Sequence, residues 1–487
     1  MEQQNRLPNW LKKRAQLSPN RIAIVYEEKQ YTFSELNELS LKFSRKLHTI
    51  GIRSNDKVGL LTNTSLDMVV AIHASMHLGI ELVLFNTRLK AQELSWQFKD
   101  SRLNWIVTEA GFREVIPYGL KTVFFEELEP VEESDDFSEV DEFDLNKTAT
   151  IMYTSGTSGY PKGVIQTYGN HWWSAVGSML NLGLHENDRW LCTMPLFHIS
   201  GLSILLRSVI YGMTVILHKQ FNEEEVNHHI RKYDVTIMSV VTAMLNRMLE
   251  QLGEKKYPDS LRCILLGGGP APLSILENCR EKGIPVYQTY GMTETSSQIA
   301  TLSPEYSITK LGSAGKALFP SQLKILKGER EANACEIGEI VVKGPNVTRG
   351  YENRLAETNK AIKDGWLNTG DIGYLDEAGF LYVVDRRSDL IISGGENVYP
   401  AEIEAVLMKH PSVFEAGVTG VADEKWGQVP IAFVVLKEFV QKDDLLEHCR
   451  SNLASYKMPK ALYIVGGLPR NASNKLLRRD LPKLLEQ

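Results

Sequence analysis

The chain has 487 residues, 43% hydrophobic and 23% charged, which gives room for about three units of ordinary domain size and fits a globular protein better than a disordered or fibrous one. A formal net charge of −6 with both signs dispersed argues against a general nucleic-acid or anionic-membrane binder, so the expected partner is a small molecule. Five scattered cysteines without CxxC spacing signal neither a disulfide framework nor a zinc site, and MEQQNRLPNWLKKRAQL has no apolar leader region, so a cytoplasmic protein without membrane insertion is expected.

From Arg21 to about Gln288, short β-branched runs alternate with longer amphipathic stretches. VGLLT (58–62), LVLFN (82–86), ATIMYT (149–154), MTVILH (213–218), VTIMSV (235–240) and LRCILL (261–266) read as buried strands of βα units in a largely parallel sheet. The acidic run EELEPVEESDDFSEVDEFD (126–144) reads as a solvated connection. After Gly312 the pattern changes to short strands between Gly and Asp turns, among them GEIVVKG (338–344) and GFLYVVD (379–385), which predicts a β-rich subdomain. Beyond DRRSD (385–389) a helix near Pro400, strands around 413–421 and 429–436, a helix near 441–454 and a basic tail predict a small α+β domain. The fold class expected is α/β, with a large domain over 1–385 and a small mobile domain over 386–487.

The stretch TSGTSGYPKG (154–163) follows the apolar run ATIMY and carries hydroxyls, glycines and a lysine. A loop of this composition leaving a strand can turn several N–H groups toward one anion, as in a phosphate nest. It is a near miss to GxxxxGK[ST]: Pro161, which has no N–H, stands where the second glycine belongs, and Gly163 replaces the magnesium-holding hydroxyl. Phosphate binding is expected, but not by a Walker-type ATPase.

The same stretch resembles the phosphate-loop signature of the adenylate-forming superfamily, which contains acyl-CoA synthetases, luciferases and peptide-synthetase adenylation domains. GGGPAP (267–272), YGMTET (290–295), GWLNTGD (365–371), DRRSDLIISGGENVYPAEIE (385–404) and PRNASNKLLRRD (469–480) match further motifs in the superfamily's order. MPLFHISG (194–201) with LGGGPAP and GSAGK is most similar to the acid–CoA ligases of menaquinone synthesis. The resemblance implies two half-reactions: ATP and an acid give an acyl-adenylate and pyrophosphate, then the coenzyme A thiol displaces AMP. It also implies the cofactors ATP, Mg²⁺ and coenzyme A as co-substrate.

Carried over position by position, the resemblance assigns Thr154, Ser155, Gly156, Thr157, Ser158, Gly159 and Lys162 to the β- and γ-phosphates, with Gly268, Gly269 and Pro270 in the nucleotide pocket. Tyr290 and Gly291 would border adenine, Thr293 would bond the α-phosphate, and Glu294 would hold Mg²⁺. Asp371 and Arg386 would take the ribose hydroxyls. Lys475 would neutralise charge between the acid and the α-phosphate. Asn474 stands where relatives carry glycine, a mild departure because Asn tolerates left-handed backbone. DRRSD would be the hinge, near 386–389, with Ser388 at the pivot, and Gly394 and Gly395 would line the pantetheine channel.

His198 would gate the acid pocket from the coenzyme A tunnel. Arg207, nine positions further on in HISGLSILLRSVIYG, either reaches the surface or binds the second carboxylate of an aromatic dicarboxylic acid, with Gln298 and Ser313 as further polar contacts. His198 and Arg207 lie about 13 Å apart along an ideal helix, and a chain turn near Gly201 would let both face one cavity. An aryl- or medium-chain acyl-CoA ligase, a carrier-dependent adenylation module and a binding protein on a degraded ligase fold are the competing readings. No carrier segment follows Lys475, and Thr293, Glu294, Asp371, Arg386 and Lys475 are all present.

Overall fold

The computed structural model describes residues 5–485 apart from Lys90, Asp135, 155–160, 269–270, 387–388, 394–395, 424–425, Ala454 and 472–473, and apart from the side chains of Asp385, Arg386, Ile392, Glu396, Asn397, Gly427 and Tyr456. All six runs read from the sequence form strands, but in two sheets rather than one. Lys57–Leu61, Glu81–Leu84 and Thr148–Thr154 run parallel beside Trp105–Thr108 and Lys121–Phe124, with Lys162–Thr167 as an antiparallel edge. Thr214–Leu217, Ile237–Val241 and Cys263–Gly267 belong to a nine-stranded sheet, in which Val286–Met292, Cys263–Gly267, Ile237–Val241, Arg189–Cys192, Thr214–Leu217 and Ile22–Tyr26 are successive parallel neighbours. The strands look alike in sequence because strands covered on both faces read as continuous apolar runs. That pattern says nothing about which run pairs with which.

Helices Leu66–Leu78 and Ile199–Tyr211 are apolar nearly all round, as helices enclosed in a core must be. Ser65 caps the first by accepting from Met68 N–H, and Gly79 ends it in the left-handed conformation at φ 72°. Gln322–Lys327, Gly338–Lys343, Trp366–Leu375 and Leu381–Arg386 form the core of an antiparallel sheet. Its strand Leu381–Arg386 still pairs with the large domain, Arg386 opposite Asp371, whereas Ile391–Ser393 already pairs in the sheet of the small domain. The small domain packs helices Pro400–Met408 and Lys442–Asn452 on that sheet around its own core of Val398, Ile403, Leu407, Val434 and Leu445.

The acidic run is largely exposed, as a solvated connection should be, but it is tied down at several points. Lys12 binds Glu139 and Asp141, Arg45 binds Glu133 at 3.0 Å, and Lys46 donates to the carbonyls of Leu128 and Glu129, each at 2.8 Å. Buried His77 lies 3.5 Å from Glu139, which, with Lys12, holds that carboxyl down at about 2. Lys12 of helix Trp10–Leu17 and Arg45 and Lys46 of helix Phe33–Thr49 are the residues that tie the run to the large domain. No helix among the described residues is long and apolar enough to cross a membrane.

Candidate active site

One cavity of about 930 Å³, within the usual range for ligand sites, gathers Thr154, Lys162, His198, Arg207, Gly268, Gly291, Thr293, Glu294, Gln298, Asp371 and Lys475 from positions far apart in sequence. Thr154 ends one strand and Lys162 begins the next, and the two face each other in the antiparallel register. The loop between them, including Ser155, Gly156, Thr157, Ser158 and Gly159, lies outside the described residues, as do Gly269 and Pro270. The Lys162 ammonium sits 5.1 Å from the centre of the Tyr351 ring.

Thr293 and Glu294 occupy the single turn Thr293–Thr295 beyond the strand Val286–Met292. The chain leaves it through Ser296 and Ser297 at φ 50° and 101°, strained values for non-glycine residues that cluster at functional sites. A polar chain braces the turn: His171 Nε2 lies 2.8 Å from Thr150 Oγ1, which donates to Gln166 Oε1, and Gln166 Nε2 donates to the Thr293 carbonyl at 2.9 Å. Tyr351 donates its hydroxyl to Glu294 Oε1 at 3.2 Å, and burial followed by that carboxylate's charge pushes the phenol's pKa up. One ring thus touches both the phosphate-loop lysine and the expected metal carboxylate. No residue pattern in TRGYEN announces this role. A carboxylate facing a cavity that also admits phosphates fits Mg²⁺, which takes one or two protein carboxylates and completes its shell with phosphate and water.

At the other end the cavity adjoins a smaller one of about 270 Å³ lined by Gly268, Tyr290, Ala314, Asp371, Val383, Asn471 and Lys475. Tyr290 donates to Asp371 Oδ2 at 2.8 Å, which fixes the carboxylate's plane. Gly268 stands at φ 88°, and a Cβ on Gly291 would overlap the Ser297 carbonyl, so both positions need glycine for geometric reasons. The Arg386 side chain and residues Ser388, Gly394 and Gly395 lie outside what is described.

Lys475 reaches both cavities from a tight turn: Asn471 accepts from Lys475 N–H through its side chain and donates N–H to the Lys475 carbonyl, each at 2.9 Å. Asn474 has φ 61°, a left-handed conformation that asparagine tolerates. The basic residues around it are bound into the small domain: Arg470 pairs with Glu415 at 2.8 Å, and Arg478 binds Glu404 at 2.7 Å and Asp389 at 3.0 Å. Their charges hold the turn rather than form a loose tail.

His198 and Arg207 do share the cavity, but not through a bend at Gly201. Helix Ile199–Tyr211 starts directly after His198, and its pitch lines up Ser200, Ser203 and Arg207 on the cavity face. Gly201 serves close packing, because a Cβ there would overlap the carbonyls of Met194 and Pro195. Burial, with Arg88 nearby, lowers His198 to about 4, so its ring is neutral, and its buried Nε2 has no hydrogen-bond partner. Arg207 does not reach the surface: it is 2% exposed. Its Nη2 donates to Ser174 Oγ at 3.3 Å, its carbon lies 5.6 Å from the Trp190 ring centre, its Nε has no partner, and no carboxylate of the described residues pairs with it. Gln298 also lines this end, with its Oε1 buried and unpartnered.

Ser313 is a correction. Its hydroxyl donates to the Leu381 carbonyl at 2.8 Å and accepts from Gly315 N–H at 3.0 Å, so it closes a turn outside the acid end. Ser203 and Ser297, whose hydroxyls lie 3.3 Å apart on the cavity wall, are the serines that sequence reasoning missed.

The cavity thus holds two carboxylates, Glu294 and Asp371, two lysines, Lys162 and Lys475, and the hydroxyls of Thr154 and Thr293, a donor set suited to a charged, phosphate-bearing ligand. Known proteins agree with this. The sequence model of the AMP-binding enzyme family matches residues 11–352, and that of the AMP-binding enzyme C-terminal domain matches residues 402–475. A 2-succinylbenzoate–CoA ligase of Geobacillus kaustophilus (strain HTA426) is 58% identical over 481 residues, 98% of each chain. The o-succinylbenzoate CoA synthetase of Bacillus subtilis is 51% identical. Its complex with the acyl-adenylate OSB-AMP superposes with a TM-score of 0.92 over 98% of both chains. Its complex with ATP and a magnesium ion gives 0.92 over 98% of this chain and 100% of that one. The fold, with its large and small domains, is that of adenylate-forming enzymes, and the chain belongs to the AMP-binding enzyme family.

Proposed function

We propose that this protein is an AMP-forming acid–CoA ligase that converts 2-succinylbenzoate, ATP and coenzyme A to 2-succinylbenzoyl-CoA, AMP and diphosphate, in menaquinone synthesis. The observation that carries the choice of acid is the buried guanidinium of Arg207 in the cavity wall, which no carboxylate of the described residues pairs with. A buried charge is unfavourable unless something pairs with it. 2-Succinylbenzoate has two carboxylates: the aliphatic one is activated, and the aromatic one supplies the missing partner for a bidentate guanidinium.

In the first half-reaction Lys475 neutralises charge between the attacking carboxylate and the α-phosphate, while Thr293 donates to that phosphate from a turn that Gln166 holds in place. Thr154, Lys162 and the loop between them hold the outer phosphates, and Asp371 with Arg386 takes the ribose. Mg²⁺ held at Glu294 supplies positive charge to the phosphates, and Tyr351 orients that carboxylate. His198, neutral at physiological pH, acts as a gate between acid and thiol rather than as a proton carrier.

In the second half-reaction the small domain, bounded at 386 with its hinge near 386–389, turns Lys475 out and brings Gly394 and Gly395 to the pantetheine arm. Support for this division comes from Lys475 standing at the cavity here, the arrangement adenylation needs. Dependence on ATP and coenzyme A, with five free cysteines, supports a cytoplasmic location.

The test is a panel of acids, read by pyrophosphate release and by thioester formation with and without coenzyme A. 2-Succinylbenzoate is expected to give AMP, pyrophosphate and the thioester, with kcat/KM at least tenfold above that of benzoates and medium-chain acids with one carboxylate. Equal or better turnover of a monocarboxylate overturns the assignment of the acid. Release of ADP and phosphate without acid overturns the reaction class.

A further inference from the structure

We propose that His218, Glu225 and His229 form a binding site for a divalent transition-metal ion of the zinc class, separate from the ligase cavity. Asn222 caps helix Glu223–Lys232 by accepting from Glu225 N–H, which places Glu225 and His229, four residues apart, on one face. The strand Thr214–Leu217 delivers His218 to that face. One ligand atom from each of the three residues lies within 4.8 Å of the other two. None of the three lines the cavity that holds Glu294, so this is not the magnesium site.

The observation that points to a ligand is the His218 ring. The residue is 4% exposed, and its Nδ1 is buried without a hydrogen-bond partner. That nitrogen faces Glu225 Oε2 at 3.9 Å, too far for a hydrogen bond but close to the spacing of two ligands on one ion with bonds of about 2.0–2.1 Å. The other nitrogen, Nε2, lies 2.9 Å from His229 Nδ1. One nitrogen of the His218 ring is thus engaged by the neighbouring imidazole, while the other is turned toward a carboxylate at a spacing that an ion can bridge.

The surroundings suit the ion. Lys232 and Lys219, the nearby ammonium groups, are paired with Glu28 and Glu27. The His228 ring lies 5.5 Å from that of His229, and Tyr233 packs edge-on at 5.0 Å. Two imidazoles and one carboxylate select zinc, cobalt, nickel or copper over magnesium or calcium, and leave a fourth position for water. A bound ion ties the helix to the end of its strand and so adds to stability.

The test uses the full chain, stripped with chelator and free of ATP. Zn²⁺ is titrated by calorimetry and Co²⁺ by its visible absorption, alongside Glu225→Gln, His229→Gln and a Cys335→Ser control at an exposed thiol. One Zn²⁺ per chain is expected, with a raised Tm and the intense visible band of four-coordinate Co²⁺. Both ligand variants should bind roughly tenfold or more weakly while keeping wild-type ligase activity, and Cys335→Ser should bind normally. No binding by the wild type, or unchanged affinity in both ligand variants, overturns the proposal. Circular dichroism melts of the metal-free variants confirm that any loss comes from the ligand and not from unfolding.

Discussion

Two arginines of the large domain, Arg207 buried and Arg262 half-buried, are treated in opposite ways. Arg262 donates Nε and Nη2 to the two oxygens of Asp188 at 2.8 and 2.6 Å and Nη1 to the Leu182 carbonyl at 2.8 Å. Burial works against its charge, but Asp188 outweighs it and the guanidinium's pKa is raised. Arg207 has one serine hydroxyl, one indole face and no carboxylate among the described residues, and burial lowers its pKa. A guanidinium cannot escape by losing its proton at any ordinary pH. The first arginine is therefore complete within the scaffold, and the second is complete only with a ligand. The residues around it solve the same burial problem differently, since His171 stays neutral, pushed to about 3 by burial and then by Arg207 itself.

The sharpest division between cavity and scaffold cations is expected at Lys475. Lys475→Ala should slow adenylation by about 10³-fold, the scale of losing a preorganised charge at the reacting centre, while thioester formation from pre-made acyl-adenylate changes little. Equal loss in both half-reactions would remove Lys475 from the cavity group.

Arg262→Leu leaves Asp188 buried without its partner and should lower stability by about 3 kcal/mol in urea unfolding, with KM for the acid unchanged. Arg207→Leu should do the reverse. KM for 2-succinylbenzoate is expected to rise roughly 10- to 100-fold, as for one charged hydrogen-bonded contact of about 1.5–3 kcal/mol, with monocarboxylate turnover and stability maintained. If Arg207→Leu destabilises the protein as much as Arg262→Leu and leaves KM alone, the two arginines are equivalent and the comparison collapses.

The neutral histidine gives a pH signature. His171 has a folded value of about 3 against an ordinary 6.5, so the unfolded chain binds the extra proton between those values and stability falls as pH drops below 6.5. His171→Gln should lose about 1.4 kcal/mol less than wild type per pH unit between pH 6 and 4. Parallel pH dependences would mean that the ring is protonated in the folded state.

The smallest effect is expected at Tyr351. Tyr351→Phe keeps the ring under Lys162 and removes the hydroxyl bond to Glu294, so the Mg²⁺ concentration for half-maximal adenylation should rise by roughly three- to tenfold, with KM for the acid unmoved. A loss confined to KM for the acid would place Tyr351 with the arginine end instead.

The sequence made the strands and the small domain legible because β-branched runs and helix periodicity are local signals. It did not make legible that Val58 and Ile237 stand in different sheets, since pairing is decided by packing far along the chain. The site was legible where a motif has a fixed geometry: Asn474 at φ 61° behaves as its type allows. Ser313 misled because a hydroxyl in a Gly-rich turn serves the backbone as readily as a ligand. The burial of Arg207 was not legible at all, because an arginine in an apolar helix can equally turn its head to water. The ties that hold the acidic run were not legible for a similar reason, the basic partners being about 90 to 130 residues away in sequence.

The place of Ile22–Tyr26 in the nine-stranded sheet bears on how the chain is made. Its parallel partner is Thr214–Leu217, with Ile24 opposite Val215, so only the hairpin with Lys29–Thr32 is available early. At about 5–20 residues per second, roughly 190 residues of synthesis take ~10–40 s, and throughout that time the apolar run IAIVY has no neighbour on its other edge. Until Leu217 has been made, the nascent chain therefore carries an open apolar strand edge, the kind of edge that offers itself for pairing with another chain.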